Sequence, residues 1–264
     1  MSDLRPIIIK IGGSTLDGHR DNPAMWRALA SLAARTPAGI VLVHGGGKAV
    51  DRHLARLGVV SERRQGLRVT PTDQIGDIVG VLAGTVNKAI VSELNRAGAR
   101  AVGLFLGDGA MTRCRVLRPG GVDLGRVGEI EGGDGALARA LLSNGFLPVV
   151  SSVGLNDDGF LNVNADDAAA GLARILKARS LVLLTDVAGI KGADGAIVPS
   201  LTIAGVEALI AASVISGGMI PKSRAASKIA AEFEIPVVIL SGEDPDHLTR
   251  WAEGGTVGTS IIPG

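Results

Sequence analysis

Pro6-Ile7-Ile8-Ile9-Lys10-Ile11-Gly12-Gly13-Ser14 is the stretch whose reading decides the fold. A β-branched run that closes on paired glycines reads as a buried strand ending in bare backbone. Such a turn offers peptide N–H groups with no side chain in the way, and Lys10 adds one fixed positive charge. A polyphosphate needs both. The same grammar recurs at Ile40-Val41-Leu42-Val43, followed by His44-Gly45-Gly46-Gly47-Lys48. Two such strands predict two loops meeting at the carboxyl edge of a parallel sheet, where open α/β folds bind ligands.

Outward from these strands, strand-like and helix-like runs alternate, which predicts βαβ units. Further strands are expected over 101–104, 147–151, 180–185 and 237–240, and helices over 24–34, 48–57, 136–143, 167–176, 203–211 and 223–233. Segments 113–117 and 125–130 read as an antiparallel hairpin around Pro119-Gly120-Gly121, and Gly154–Gly159 as a turn. A long helix is predicted over Thr70–Ala97, with Thr70 as cap, Pro71 in the first turn and Gly98 as stop. Its apolar stripe, Ile75, Ile78, Val79, Leu82 and Val86, suits either a dimer surface or the chain's own core.

Composition narrows the function classes. Hydrophobic residues make up 46% of the 264 residues and mean hydropathy is +0.34, so a sizeable core is expected. Aromatics are only 2%, with no Tyr, which argues against base-stacking on single strands. A net charge of +1 without a basic block argues against a duplex-binding footprint. The lone Cys114 leaves no disulfide framework, and His19, His44, His53 and His247 lack metal-ligand spacing. No leader and no uncharged membrane-length run is read, so a cytoplasmic protein bound to neither nucleic acid nor membrane is expected.

The P-loop motif is absent, because Gly47-Lys48 is followed by Ala49. A dinucleotide fingerprint nearly matches at Gly133-Asp134-Gly135-Ala136-Leu137-Ala138, but no strand is expected to lead into it, so a helix-capping turn is the better reading.

What survives is an ordered set: Lys10-Ile11-Gly12-Gly13, His44-Gly45-Gly46-Gly47, Gly66-Leu67-Arg68-Val69-Thr70, Asn162-Val163-Asn164-Ala165-Asp166 and Gly218-Met219-Ile220-Pro221-Lys222. Together these segments resemble the amino-acid kinase family, and the likeness runs through Gly103–Gly109, Leu147–Ser152 and Val257–Thr259 to cover nearly the whole chain. The resemblance implies an α/β fold: a three-layer αβα sandwich around a mostly parallel sheet, in two lobes. Residues 1–174 would bind the acceptor and dimerise, and residues 175–264 would bind nucleotide. It implies transfer of the γ-phosphoryl of ATP to the side-chain carboxylate of N-acetyl-L-glutamate, a step of arginine biosynthesis, by a homodimer.

The family pattern assigns roles residue by residue. Lys10 and Lys222 match its two transition-state lysines, and Asp166 its organising aspartate, which would hold both ammoniums. Gly12, Gly13, Gly46 and Gly47 would offer amides to phosphate, with Gly46 and Gly47 beside the acceptor. Arg68 and Asn162 match the residues on the acceptor's α-carboxylate. Asp186, Val187, Ala188, Gly189, Ile190 and Lys191, with Val214, Ile215 and Ser216, match the segments around base and ribose. Mg²⁺ would ride on the ATP, with no metal site built by the protein. A carboxylate acceptor with a pKa of ~4.3 is already ionised at neutral pH, so no general base is required. The chemical problem is repulsion between two anions, which cations and oriented amides offset.

Two departures are visible. Pro221 removes a backbone donor where the family pattern carries an apolar residue such as valine. Only six residues precede Ile7, with no room for the extra N-terminal helix of the family's arginine-inhibited hexamers, so insensitivity to L-arginine is expected. Competing readings are a same-fold kinase of an aminoadipate or carrier-linked acceptor, and a non-catalytic nucleotide or amino-acid sensor.

Overall fold

The isoleucine run forms β1 (Ile7–Ile11), in which every residue except Lys10 is fully buried. The structure, a computed structural model, describes residues 4–13, 16 and 22–263. After β1 come α1 (Pro23–Arg35), β2 (Ile40–His44), α2 (Gly47–Arg56), β3 (Arg63–Arg64), β4 (Leu67–Arg68), α3 (Ile75–Arg96) and β5 (Ala101–Phe105). The middle of the chain holds β6 (Arg113–Val116), β7 (Val127–Gly132), α4 (Ala136–Ser143), β8 (Leu147–Ser151), β9 (Val153–Asn156), β10 (Gly159–Val163) and α5 (Ala165–Leu176). It ends with β11 (Ser180–Thr185), β12 (Ser200–Thr202), α6 (Ile203–Ala211), α7 (Met219–Phe233), β13 (Val237–Ser241), α8 (Pro245–Ala252) and β14 (Thr259–Ile262).

Eight strands make one sheet in the order β12-β14-β13-β11-β1-β2-β8-β5, parallel at every pairing except β13–β14. Alternate residues of β1 serve opposite faces, as the two-residue strand period requires. Ile8 joins Val41, Leu172 and Ile229 in one core, which brings α5 and α7 onto that face. Ile7, Ile9 and Ile11 join Met25, Leu29, Ile90 and Leu248 in another, beneath α1, α3 and α8. The sheet is therefore covered on both sides, the expected three-layer arrangement. A second sheet, β6-β7-β10-β9, and the β3–β4 hairpin lie at the carboxyl edge of the first.

Several expectations need correction. Thr70 does not cap a helix: its N–H donates to Leu124 and its carbonyl accepts from Arg126, bridging it to Gly125. Pro71 disfavours the helical conformation for the residue before it, and α3 starts five residues later, at Ile75. Within α3, Gly80–Val86 takes the wider π-helical form. Gly154–Gly159 is not only a turn but the centre of the β9–β10 hairpin. Helix α5 begins at Ala165, not Asp167, because Asn164 Oδ1 accepts from the N–H groups of Asp166 and Asp167. β7 does lead into Gly133-Asp134-Gly135, contrary to expectation, yet it belongs to the small sheet. A Cβ on Gly133 would lie 2.2 Å from the Met111 carbonyl and one on Gly135 2.6 Å from Leu176, so these glycines serve close packing.

Among the described residues, α3 alone has the length and apolarity of a membrane span. Four of its five stripe residues are used internally: Ile78 and Leu82 pack on Val50, Leu54 and Val153 with Val79 and Val86 alongside, and beyond the stripe Ile90 and Leu94 join the core under the main sheet.

Candidate active site

The carboxyl ends of β1 and β2 open onto a cavity of about 240 Å³. Lys10, Gly13, Gly46, Gly47, Arg68, Asn162 and Asp166 all line it, although they come from four separate stretches of chain. Lys10 Nζ lies 3.0 Å from Asp166 Oδ1, with the lysine side chain only 17% exposed. Asp166 is placed by the Asn164 cap, in the first turn of α5, where the helix dipole favours an anion. Beside it, burial and then the Asp166 charge push the Asp167 carboxyl above its ordinary value.

Gly46 and Gly47 open α2, whose first internal bond runs from Val50 N–H to the Gly46 carbonyl. The N–H of Gly47 thus has no intrahelical partner and sits at the positive end of the helix. A Cβ on Gly46, at φ 157° and ψ 31°, would come within 2.9 Å of the Leu82 Cδ2 methyl, so a side chain there would have to displace it. Gly12 departs from its expected role. Its N–H donates to the Leu184 carbonyl at 3.1 Å, and it lines neither this cavity nor the one described next. Its want of a side chain lets β1 and β11 close up, because a Cβ would lie 2.9 Å from that carbonyl. Ser14 and His19 lie outside the described residues.

Arg68 is buried and wired in advance. Its Nη1 donates to Ser61 Oγ and pairs with Asp51 Oδ1, and its Nη2 donates to the Gly47 carbonyl at 3.0 Å. Among the described residues these bonds use three of the five guanidinium N–H donors, leaving two for a carboxylate. Asn162 Nδ2 donates to Thr70 Oγ1 at 3.0 Å, and Thr70 Oγ1 donates to the Arg68 carbonyl at 3.1 Å, so the two expected acceptor residues are tied together. Arg63, also on the wall, reaches Asp51 Oδ2 at 3.1 Å. Burial pushes the Asp51 carboxyl up, but hydrogen bonds and charges from Arg68 and Arg63 outweigh it and hold it below the usual aspartate value. Asp51, Ser61, Arg63 and Thr70 were not singled out from sequence for this site. The one available signal was Asp51, one helical turn past Gly47 on α2.

A second cavity, of about 450 Å³, lies beyond β11. Asp186–Lys191 and Val214–Ser216, all nine residues expected around a nucleotide, line it together with Ile197 and Met219, which sequence reasoning missed. The Ile190 N–H donates to Thr259 Oγ1 at 2.8 Å, which anchors the loop to the last strand. Lys222 Nζ pairs with Asp186 Oδ1 rather than with Asp166. Hydrogen bonds from Lys222 and from the Thr185 hydroxyl hold the Asp186 carboxyl below its ordinary value. Asp166 thus holds one of the two lysines, not both. Lys10 on β1 and Asp186, the partner of Lys222, nevertheless stand at neighbouring strand ends, since Ile11 is in register with Leu184, two residues before Asp186.

Residues 5–241 match the amino acid kinase family. The chain belongs to that family. It is 44% identical over 261 residues to the acetylglutamate kinase of Colwellia psychrerythraea, covering 98% of each chain. It is 40% identical over 266 residues to the acetylglutamate kinase of Vibrio cholerae, covering 100% of each. Among solved structures it resembles an N-acetylglutamate synthase from Neisseria gonorrhoeae complexed with coenzyme A and N-acetyl-glutamate. That match has a TM-score of 0.80 and 26% identity, with 98% of this chain but 59% of the synthase covered.

The family departure at Pro221 has a local explanation. Pro221 is the third residue of α7, where a backbone N–H has no intrahelical acceptor in any case. The helix that carries Lys222 therefore loses no internal bond to the proline.

Proposed function

We propose that this chain transfers the γ-phosphoryl group of ATP to the side-chain carboxylate of N-acetyl-L-glutamate, forming an acyl phosphate and ADP, as a cytoplasmic step of arginine biosynthesis. The observation that carries the reading is one cavity shared by Lys10, Asp166, Arg68, Asn162 and the glycine loop at the start of α2. The names of the relatives and the N-acetyl-glutamate held by the similar synthase support it.

In this reading Arg68 takes the acceptor's α-carboxylate through its remaining donors, and Asn162 fixes the same end of the molecule. The other carboxylate then faces Lys10 and the amides of Gly13, Gly46 and Gly47. Its oxygen attacks the γ-phosphorus in line, the bond to the β–γ bridging oxygen breaks, and ADP leaves with that electron pair. Lys10 offsets the charge shared between attacking and transferred oxygens, and Lys222 the charge that grows on the leaving oxygen. Asp166 aims Lys10 and takes no proton. Mg²⁺ enters with the nucleotide, whose base and ribose rest between Asp186–Lys191 and Val214–Ser216. Residues 1–174 thereby form the acceptor lobe and residues 175–264 the nucleotide lobe. The working form is a homodimer, which size-exclusion chromatography with light scattering tests.

A hydroxamate assay with ATP and Mg²⁺ tests the reaction and acceptor together, because hydroxylamine traps an acyl phosphate. Among acetylglutamate, glutamate, aspartate and acetylaminoadipate, acetylglutamate is expected to give the highest kcat/KM. Product with none of them would defeat the reading, and a preference for acetylaminoadipate would replace the acceptor.

A further inference from the structure

His44, the residue before the second glycine loop, has 0% exposure and plays no part in the mechanism above. Both ring nitrogens are nonetheless partnered: Nδ1 lies 2.7 Å from the Gly45 carbonyl oxygen and Nε2 3.0 Å from Asn87 Nδ2. A carbonyl only accepts, so Nδ1 carries the hydrogen and Nε2 presents a lone pair to the Asn87 amide. Asn87 is itself fully buried. Its Nδ2 also donates to the Val149 carbonyl at 2.9 Å, with the Leu104 carbonyl at 3.3 Å sharing its two hydrogens, and its Oδ1 accepts from Lys88 Nζ at 3.3 Å, which sets the orientation of the carboxamide.

The surrounding chain makes room for this contact. Gly103 on β5 faces Asn87 so closely that a Cβ would lie 2.0 Å from Asn87 Oδ1. The π-helical segment Gly80–Val86 runs directly into Asn87, and its Leu82 and Val86 are the side chains that a Cβ on Gly46 would strike. Single π turns of this kind recur at functional sites. Packing alone would be served by two aliphatic side chains, without the desolvation cost of buried polar groups.

We infer that Asn87 and His44 form a positioning relay: Asn87 fixes the imidazole as its Nδ1–H tautomer, and that N–H holds the Gly45 carbonyl so that Gly46 and Gly47 keep their place on the cavity wall. Both are positioning residues, acting through the loop, and the inference rests on the phosphotransfer reading. Burial pushes the His44 pKa down to about 4, so the ring works as a neutral hydrogen-bond donor rather than as a base.

Two substitutions separate positioning from packing. His44→Asn keeps a side-chain N–H near the Nδ1 position, whereas His44→Gln moves the amide out toward Asn87 and releases the Gly45 carbonyl. Losing a preorganised contact through the loop is expected to lower kcat of His44→Gln about 10–100-fold, with both KM values within about threefold, while His44→Asn retains the larger share of activity. Long-range ¹H–¹⁵N spectra are expected to show Nδ1–H for His44 in the unsubstituted protein and a loss of that single tautomer in Asn87→Leu. An Nε2–H signature, or equal loss of kcat in both His44 variants in proportion to their melting temperatures, would overturn the relay. An unsubstituted protein with no phosphotransferase activity would instead defeat the functional reading, and the spectra alone would then decide the relay.

Discussion

The two cavities share one sheet edge but are held by different means. The Arg68 cavity is wired by side chains: Arg68 to Asp51, Ser61 and Gly47, Asn162 to Thr70, Lys10 to Asp166. The cavity beyond β11 is walled largely by loop segments and aliphatic side chains, and the Lys222–Asp186 pair at its rim is about half exposed. The difference follows from what each side has to recognise. Carboxylates demand buried, directed charge, and a buried guanidinium is tolerable only with its partners already in place. A nucleoside needs shape and a few backbone groups, which loops supply without desolvating charge.

The largest expected effect tests whether this asymmetry reaches the chemistry. Lys10→Ala should lower kcat on the order of 10²–10³-fold, the loss typical of one preorganised charge-stabilising group, with acceptor KM within about threefold. Lys222, at 42% side-chain exposure against 17% for Lys10, should cost roughly tenfold less when changed to Ala, because solvent partly replaces it. Steady-state kinetics with both variants measures this, and equal losses would erase the distinction.

Binding gives the next contrast. Truncating a buried, hydrogen-bonded charge costs about 2–5 kcal/mol, so Arg68→Ala should raise acceptor KM on the order of 100-fold and leave the ATP KM nearly unchanged. On the other side Met219→Ala removes one aliphatic contact among several and should raise the ATP KM only about three- to tenfold. Reversed signatures would exchange the two cavities.

Legibility in sequence followed the same line. Ser180–Thr185 and Leu147–Ser151 are visible because each is a continuous, largely buried run bounded by turn residues, and Ala136–Ser143 and Ile203–Ala211 because each is an apolar-rich run between turn residues. The loop Asp186–Lys191 reads by itself as an ordinary turn after a strand, and only the family resemblance marks it for a nucleotide. The short elements β9, β12 and β14 and the charged helix α8 carry no comparable pattern, and Thr70 reads as a cap because its long-range bridge to Gly125 leaves no local trace. Charge partners were the least legible. Asp51 finding Arg68 and Arg63, or Lys222 finding Asp186 rather than Asp166, depends on how distant segments converge, and no spacing rule encodes that.

The smallest effect is electrostatic and reads the wiring through stability. Asp51 has its pKa lowered in the fold, and an unfolded aspartate titrates near ~3.9, so the unfolded chain binds the extra proton first. The stabilisation from Asp51 is therefore complete above that unfolded value and is lost as pH falls through the lower folded one. Asp51 is 41% exposed, and discounted for solvent screening its contribution is ~1 kcal/mol. Asp51→Asn should accordingly melt below the unsubstituted protein at pH 7, with the gap narrowing as the pH is lowered below 4 and Asp51 itself becomes neutral. Asp186, also lowered but with both partners more than a third exposed, should give a smaller gap for Asp186→Asn, ~0.5 kcal/mol or less. Both are measurable as Tm against pH at low salt. A constant Asp51→Asn gap down to pH 3 would mean that shape, not charge, holds Arg68, and equal gaps for the two aspartates would remove the electrostatic distinction between the cavities.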